Sequence, residues 1–472
     1  MDTREAFEIG GQGHVFAFWD ELDDRERTSL LEQAEEIDLA ELDSLLANLV
    51  KGDDVEAEVD YSALRPAPYE PMPADLNKDQ KWASAKEIGE EVLSGGRVAA
   101  FTVAGGQGTR LGYDGPKGTF PVTPIANKTL FQVFAEKIRA SRDRFDCQLP
   151  WYIMTSHANH EATESFFRKH EFFDLGEETV KFFRQGRMPA VDFDGRILME
   201  SKGKIAMSPD GHGGALRALG RSGALAEMVS KGIDLLSYFQ VDNPHVQVAD
   251  PYFLGFHIQS GSEMSSKMLP KAYEKEKLGH FCLNGDRLEV VEYSDMPDEL
   301  TSKRDESGKL LFIAGSVAIH VVSVPFIQKV VEEDSLISLP FHKAVKKIAC
   351  VDGSGAPQEV DAPNGVKFEM FVFDALPFAE NAVIVETTRL GDFSPVKNAK
   401  GVDSAYSCRK DQQKLFASWL AHEGVGLELD DDGIPVNKIE ISPLFGYDQD
   451  SFSESWKARK PFVDFSKDVY IA

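Results

Sequence analysis

The stretch Val98-Ala-Ala-Phe-Thr-Val-Ala104-Gly105-Gly106-Gln-Gly108-Thr-Arg110-Leu-Gly112-Tyr-Asp-Gly115-Pro-Lys117-Gly118 decides how this chain folds. Val98 to Ala104 is apolar and β-branched, the pattern of a strand buried on both faces of a parallel sheet. The run then breaks into glycines at 105, 106 and 108. Glycine admits positive φ and carries no Cβ, so backbone N–H groups there can close on a bulky anion. Arg110 and Lys117 follow within reach. A buried strand ending in bare amides and two cations describes a cradle for a triphosphate. A tight turn after a core strand accounts for the glycines but has no use for the cations. Walker A spacing is absent, and the dinucleotide fingerprint fails because Leu111 stands where its third glycine belongs.

Outward from this loop the pattern alternates. A helix is predicted over 130–142 with Thr129 as its N-cap, a strand over 151–155, and a helix over 158–170. A strand at 180–183, a helix over 213–231 and a strand over 233–241 follow. Strands alternating with helices of this length predict an α/β fold with a doubly wound sheet, whose ligands bind off the carboxyl ends of the strands. The glycine loop, Gln185 and Asp242 then share one rim. The apolar window 310–326 is interrupted by Gly315, Ser316, His320 and Pro325, so it predicts buried strands rather than a membrane span. Residues 1–94 predict a helical, acidic N-terminal region, with prolines 66, 68, 71 and 73 as an extended connector and a helix over 80–93. Residues 95–385 form the catalytic domain in this reading. Residues 386–472 form a small C-terminal domain with a helix near 412–422 and short strand-like pieces.

The chain has 472 residues, 42% hydrophobic and 27% charged, as in ordinary globular proteins. It carries 51 basic and 78 acidic side chains, a net charge of −27, which argues against nucleic acid or an anionic membrane as partner. A nucleotide remains compatible, because charges beyond a Debye length of about 8 Å are screened. The acidity also favours a Mg²⁺-bound over a bare nucleotide. Cys147, Cys282, Cys350 and Cys408 are scattered without metal or disulfide spacing, and the first residues lack a signal-peptide pattern. The expected compartment is the cytoplasm.

Asp242 closes the run Leu235–Val241, where a carboxylate is placed to hold Mg²⁺ through hard oxygen ligands. Capping of the next loop is the alternative. Gln185 ends another strand and can both donate to and accept from a pyrimidine edge. The segment Ser208-Pro-Asp-Gly211-His212-Gly-Gly214 is a second glycine-rich loop leading into a helix, suited to a phosphate or a base carbonyl, or to starting the helix alone. His157, His160, Glu161 and Glu164 have the spacing of an exposed helix face, not of a metal site.

These residues are similar to a known family. Ala-Gly-Gly-Gln-Gly-Thr-Arg-Leu-Gly at 104–112, Pro-Lys-Gly at 116–118, Phe-Phe-Arg-Gln-Gly at 182–186, Val-Asp-Asn at 241–243 and Phe-Ser-Pro-x-Lys-Asn-Ala at 393–399 stand in order. With them the chain resembles the eukaryotic-type UDP-N-acetylglucosamine pyrophosphorylases (UDP-sugar uridylyltransferases) over nearly its whole length. The resemblance implies a Rossmann-like nucleotidyltransferase core with a mixed, mainly parallel sheet. It implies transfer of UMP from UTP to a sugar-1-phosphate, with Mg²⁺ as cofactor. It places Val103, Ala104, Gly105, Gly106 and Lys117 on the UTP side, and Gln185 and Gly211 on the uracil. Asp242 falls on the metal or nucleotide, Glu292 and Tyr293 on the sugar, and Lys367 and Lys397 on the phosphates. Arg110, with Lys117, faces the departing pyrophosphate. Two departures fall on the sugar side: His212 and Ser316 stand where the family usually has Asn. Loss of an amide that bonds a substrate group changes discrimination strongly, so other hexose-1-phosphates such as glucose or galactose stay open. So do a non-catalytic UDP-sugar-binding protein and, more remotely, a nicotinamide-dependent dehydrogenase.

Overall fold

The computed structural model describes residues 2–52, 61–76, 78–332 and 339–472. They pack as two compact units, each assembled from separate segments. The smaller comprises Met1–Asp60, Gln185–Arg217 and Ser338–Asp374, the larger Tyr61–Arg184, Ala218–Ile337 and Ala375–Ala472.

The larger unit is built on a ten-stranded mixed sheet. Its strands are β1 (Leu64–Pro66), β2 (Val98–Val103), β3 (Trp151–Thr155), β4 (Val180–Arg184), β5 (Leu235–Gln240), β6 (Met264–Pro270), β7 (His280–Asn284), β8 (Arg287–Val291), β9 (Ala314–Ser323) and β10 (Val383–Glu386). The central order is β1-β7-β9-β5-β2-β3-β4; β6 pairs with β9 and β10, and β8 with β7. The block β5-β2-β3-β4 is parallel, with Val103 opposite both Gln240 and Met154, and Thr155 opposite Arg184. The carboxyl ends of β2 and β5 therefore lie side by side, and Gln185 directly follows the end of β4. Toward β1 the pairing turns antiparallel.

This register follows from burial. β2 is buried except at its last residue and β3 throughout, as strands covered on both faces are. The helix Leu130–Phe145 starts where Thr129 accepts Gln132 N–H, as the sequence predicts, and buries Phe131, Phe134 and Ile138. Phe239, Trp151 and Phe167 complete that core. The helices Gln80–Ser94 and Pro251–Ser260 add Trp82, Phe253 and Phe256 to the same core and cross at backbone contact. A Cβ at Gly89 would collide with Pro251 O, and one at Gly255 with Ala85 O.

Two predicted elements change and one is added. The helix expected over 213–231 is two, Gly214–Arg221 and Ala224–Ser230, because Gly223 at φ +79° breaks it. The window 310–326 gives a single strand, β9, whose successor Val324–Val331 is a helix with a proline in its first turn. A C-terminal helix, Gln449–Arg459, was not predicted; it starts from a capping box of Asp448 and Ser451. That region packs through Phe416, Trp419, Phe445 and Phe452.

In the smaller unit the N-terminal segment is tied to the later ones by buried amides. Gln12 bonds Gly195 O and Ile197 N, and Gln33 accepts Ile205 N–H. The strands His342–Lys346 and Gly365–Glu369 pair antiparallel, with Ala344 opposite Lys367.

Candidate functional site

The glycine loop leaves the sheet where Val241 N donates to Val103 O (3.1 Å) and Ala104 N to Met154 O (2.7 Å). Its carbonyls are then occupied from within the protein. Asn159 Nδ2 donates to Ala104 O at 2.9 Å and Gly106 O at 3.3 Å. Lys117 N also donates to Gly106 O (3.0 Å), and Gly108 N donates to Gly115 O (2.9 Å), closing 106–117 as a hairpin. Among the described residues the N–H groups of Gly105 and Gly106 donate to none of these acceptors. The loop thus turns its carbonyls inward and keeps amides for an anion. One expectation is corrected here: Gly105, Gly106 and Gly108 all have negative φ, and the left-handed glycines of the loop are Gly112 (+69°) and Gly115 (+146°). Gly108 is small because a Cβ would sit 2.6 Å from Tyr113 Cδ1, whereas a Cβ on Gly106 would meet only Lys117 Cε at 3.8 Å.

Charge gathers around this loop. Lys117 Nζ lies 3.3 Å from Asp242 Oδ2, both largely buried. Val396 N donates to Asp242 O at 2.8 Å, which sets the exposed Lys397 one residue from the strand end. Lys397 N donates in turn to Asp403 O (2.6 Å). Burial pushes the Asp403 carboxyl up; Lys397 and Arg389 pull it down, and Asp242 and Glu276 push it further up. Arg389 is itself paired with Glu276 at 2.5 Å. Arg110 stands exposed on the turn Thr109–Leu111.

Among the sugar-side positions, Ser316 N donates to Gly279 O at 2.8 Å. Glu292 Oε1 lies against the same glycine, 3.6 Å from where its Cβ would be. Ser316 owes its place to Ala318, whose φ of +55° interrupts β9 between the half paired with β7 and the half paired with β5. Tyr293 is 45% exposed.

Gln185, Gly211, His212 and Lys367 belong to the smaller unit. Gln185 is buried. Gly211 has φ +83°, and a Cβ there would strike Met370 O. Gly213 N donates to Met370 O, and Met370 N to Asp210 O, both at 2.8 Å. His212 Nδ1 accepts Val372 N–H at 3.2 Å, with its ring 5.4 Å from Phe371 and 5.8 Å from Phe373. Lys367 is half-buried. Val103, Ala104, Gly105, Gly106, Arg110, Lys117, Asp242, Lys397, Glu292, Tyr293 and Ser316 belong to the larger unit.

Sequence reading missed the groups that hold these in place. Asn159 props the loop. Asn243 Nδ2 donates to Asp392 O (2.7 Å), and Asn243 Oδ1 accepts Ser394 N–H (3.0 Å). The buried Lys267 ammonium is paired with Asp250 (2.6 Å) and with Asp392. Burial alone lowers the Lys267 pKa, but the two carboxylates outweigh it and raise it. Asp392 is held below its ordinary value by Lys267, Thr387 and Gln247 N–H, against the effect of burial. Only the Val-Asp-Asn motif signalled any of this. His160, expected on an exposed helix face, is largely covered and bonds Thr155 Oγ1 (2.7 Å) and Glu164 (3.2 Å).

Among the described residues no three His, Cys, Asp or Glu side chains gather as a metal site. A Mg²⁺ ion completes its shell with substrate phosphates and water and needs only one or two carboxylates. Asp242, a hard oxygen donor beside a cationic loop, fits that requirement. Among the described residues no helix is long and apolar enough to cross a membrane.

A mixed sheet whose parallel strands end in a glycine-rich amide loop, lysines and a carboxylate defines an α/β fold of the nucleotidyltransferase type. More narrowly, residues 43–415 match the UTP–glucose-1-phosphate uridylyltransferase family, and the chain belongs to it. It is 35% identical to UDP-N-acetylhexosamine pyrophosphorylase-like protein 1 of Xenopus tropicalis, covering 99% of this chain and 96% of that protein. It is 32% identical to the UDP-N-acetylglucosamine pyrophosphorylase of Saccharomyces cerevisiae, over 96% of each. The crystal structure of the Trypanosoma brucei uridine diphosphate N-acetylglucosamine pyrophosphorylase shares the fold, with TM-score 0.82 at 24% identity, covering 100% of this chain and 98% of the other.

Proposed function

We propose that this protein is a uridylyltransferase that makes UDP-N-acetylglucosamine and pyrophosphate from UTP and N-acetylglucosamine-1-phosphate in the cytoplasm, with Mg²⁺ as cofactor. The observation that carries the reading is the meeting of unused amides at Gly105 and Gly106 with Lys117, Asp242 and Lys397 at the ends of β2 and β5.

The sugar-phosphate oxygen attacks the α-phosphorus of UTP in line, and the bond to the bridging oxygen of pyrophosphate breaks. Such chemistry rests on positioning and charge compensation. Val103 and Ala104 fix the loop to the sheet, and the amides of Gly105 and Gly106 with Arg110 and Lys117 take charge building on pyrophosphate. In the larger unit Lys397 draws in the anionic substrates, and Glu292, Tyr293 and Ser316 are the sugar-side groups. In the smaller unit Gln185 and Gly211 are the uracil-side groups, Lys367 a phosphate-side cation and His212 a sugar-side ring. Asp242 would hold Mg²⁺, which when bound would neutralise phosphate charge.

His212 and Ser316 favour a second reading, transfer to another hexose-1-phosphate. Pyrophosphate release from UTP, compared across N-acetylglucosamine-, glucose- and galactose-1-phosphate, tests both. Preference for the first supports the proposal, preference for another hexose overturns the sugar assignment, and UDP-sugar binding without pyrophosphate release overturns the activity.

A further inference from the structure

Arg389 is a cation of the larger unit whose guanidinium is held in place yet has donors to spare. It opens the short helix Arg389–Asp392, where Thr388 Oγ1 accepts Gly391 N–H (3.0 Å) and Phe393 N donates to Arg389 O (3.1 Å). Asp392, at the other end of that helix, accepts from the buried Lys267. The backbone under Arg389 is therefore set by the fold.

The side chain is set as well. Nη2 donates to Glu276 Oε1 at 2.5 Å, and Cζ lies 5.7 Å over the Phe393 ring. Glu276 is 8% exposed, and its second oxygen accepts Ala272 N–H at 2.8 Å, which anchors the carboxylate. Among the described residues the bond to Glu276 is the one hydrogen bond the guanidinium gives. The rest of its N–H fork is uncommitted, on a side chain that is 44% exposed. Such a fork matches the oxygens of a phosphate two at a time.

Two sets of contacts bracket it. On one side, Glu276 belongs to the loop 271–279, whose last residue accepts Ser316 N–H and lies against Glu292, both sugar-side groups. That loop is pinned by Lys271, whose N donates to Ile313 O (2.9 Å) and whose buried Nζ donates to Glu274 O (3.1 Å) and His280 Nε2 (2.5 Å). On the other side, Phe393 leads into the segment that carries Lys397, whose N donates to Asp403 O. Arg389 and Glu276 are close enough to Asp403 to act on its carboxyl together with Lys397 and Asp242. Arg389 thus stands between the sugar-side loop and the phosphate-side lysine. In a sugar-1-phosphate a single oxygen joins ring and phosphorus, so the phosphate falls between the same two groups.

We propose that Arg389 is a further substrate-binding residue, an assignment that rests on the uridylyl-transfer reading. Its uncommitted N–H groups grip the phosphate of the sugar-1-phosphate, which becomes the sugar-borne phosphate of the product. Glu276 is the positioning residue that aims the fork.

The test measures the Kd of the full chain for UMP and for UDP-N-acetylglucosamine by calorimetry, two ligands that differ by the sugar and its phosphate. Arg389→Gln weakens UDP-N-acetylglucosamine at least about tenfold and leaves UMP within about twofold. Arg389→Lys keeps an ion pair for Glu276, and so the loop, but loses the fork; it still weakens UDP-N-acetylglucosamine at least about fivefold. In phosphorus NMR of the bound UDP-sugar the same variant moves the sugar-borne resonance and leaves the uridine-borne one in place. Lys275→Gln removes an equal charge from an exposed position of the same loop and changes neither Kd. Melting curves check folding, and Arg389→Lys decides the matter if Arg389→Gln does not fold. Wild-type affinity and an unmoved resonance in Arg389→Lys reduce the arginine to a loop latch and overturn the assignment, as does an equal loss for both ligands in Arg389→Gln. A wild type that binds UDP-N-acetylglucosamine but releases no pyrophosphate from UTP overturns the transfer reading and leaves the phosphate grip standing. A wild type that binds neither ligand overturns both.

Discussion

Gly106→Ala separates what the fold needs from what the ligand needs. Gly106 has negative φ, so alanine introduces no backbone strain. The added methyl meets only Lys117 Cε at 3.8 Å, an ordinary contact. With no clash and fewer unfolded conformations to lose, the variant should gain about 0.4–1 kcal/mol of stability. If the amides of Gly105 and Gly106 wrap a phosphate, the same methyl stands between them and it. Removing one preorganised contact of this kind costs about 3–4 kcal/mol of barrier, or about 10²–10³ in rate. Urea melts and UTP-dependent pyrophosphate release read the two quantities separately. Gly118→Ala is the control in which space is the limit. Its Cβ would overlap the Phe131 ring, so it should lose roughly 1–3 kcal/mol of stability. A Gly106→Ala protein that turns over like wild type with unchanged UTP affinity refutes the cradle. One that melts several degrees lower refutes the conformational argument.

Lys117→Ala removes the cation beside Asp242 and should lower turnover by about 10²–10³ at saturating substrates; near wild-type turnover removes Lys117 from the mechanism. Asn159→Ala removes the donor to Ala104 O and one of the two donors to Gly106 O. It should raise the KM for UTP in steady-state kinetics and, by leaving buried groups unpaired, cost about 1–3 kcal/mol of stability in calorimetry; an unchanged KM would remove Asn159 from loop positioning. Burial holds His257 neutral, its pKa pushed down to about 3, and holds His245 and His280 at about 4, with the Lys271 ammonium adding at His280. Their unfolded value is about 6.5, so below that pH the unfolded chain binds more protons. Their contribution is complete above pH 6.5 and drains as pH falls toward 4, on the order of 3 kcal/mol for each ring. Urea melts at pH 7.5 and 5.0 should show the loss, and equal midpoints would refute it.

What was legible in the sequence was local. Val98–Val103 announces a buried strand by composition, Thr129 announces its helix by capping chemistry, and Asp242 is marked by standing where an apolar run stops. Gly223 hid because a single glycine inside a helical pattern is often tolerated, and here a left-handed φ ends the helix. The helix Gln449–Arg459 hid because only Phe452, Trp456 and Ala458 are apolar in it, too few to mark a helical stripe. Lys267 reads like any surface lysine until the fold puts two carboxylates against it. The smaller unit draws on three distant segments, and no composition along the chain reports such a meeting.

The Lys267 cluster also explains how two remote segments share one site. A buried pair of carboxylates around one ammonium repays its desolvation only when every partner is in place, and here each is. Asp392 accepts from Lys267, from Thr387 Oγ1 (2.6 Å) and from Gln247 N (3.1 Å), while Asp250 caps the helix Pro251–Ser260. A slip of either segment by one residue would strand a charge in the core. Hydrophobic packing tolerates small shifts; this network does not. That intolerance keeps Asp242 O on Val396 N and Lys397 beside Asp403, so the cluster serves less as a source of stability than as the register mark that sets a carboxylate and a lysine, 155 residues apart in sequence, at the ends of neighbouring segments.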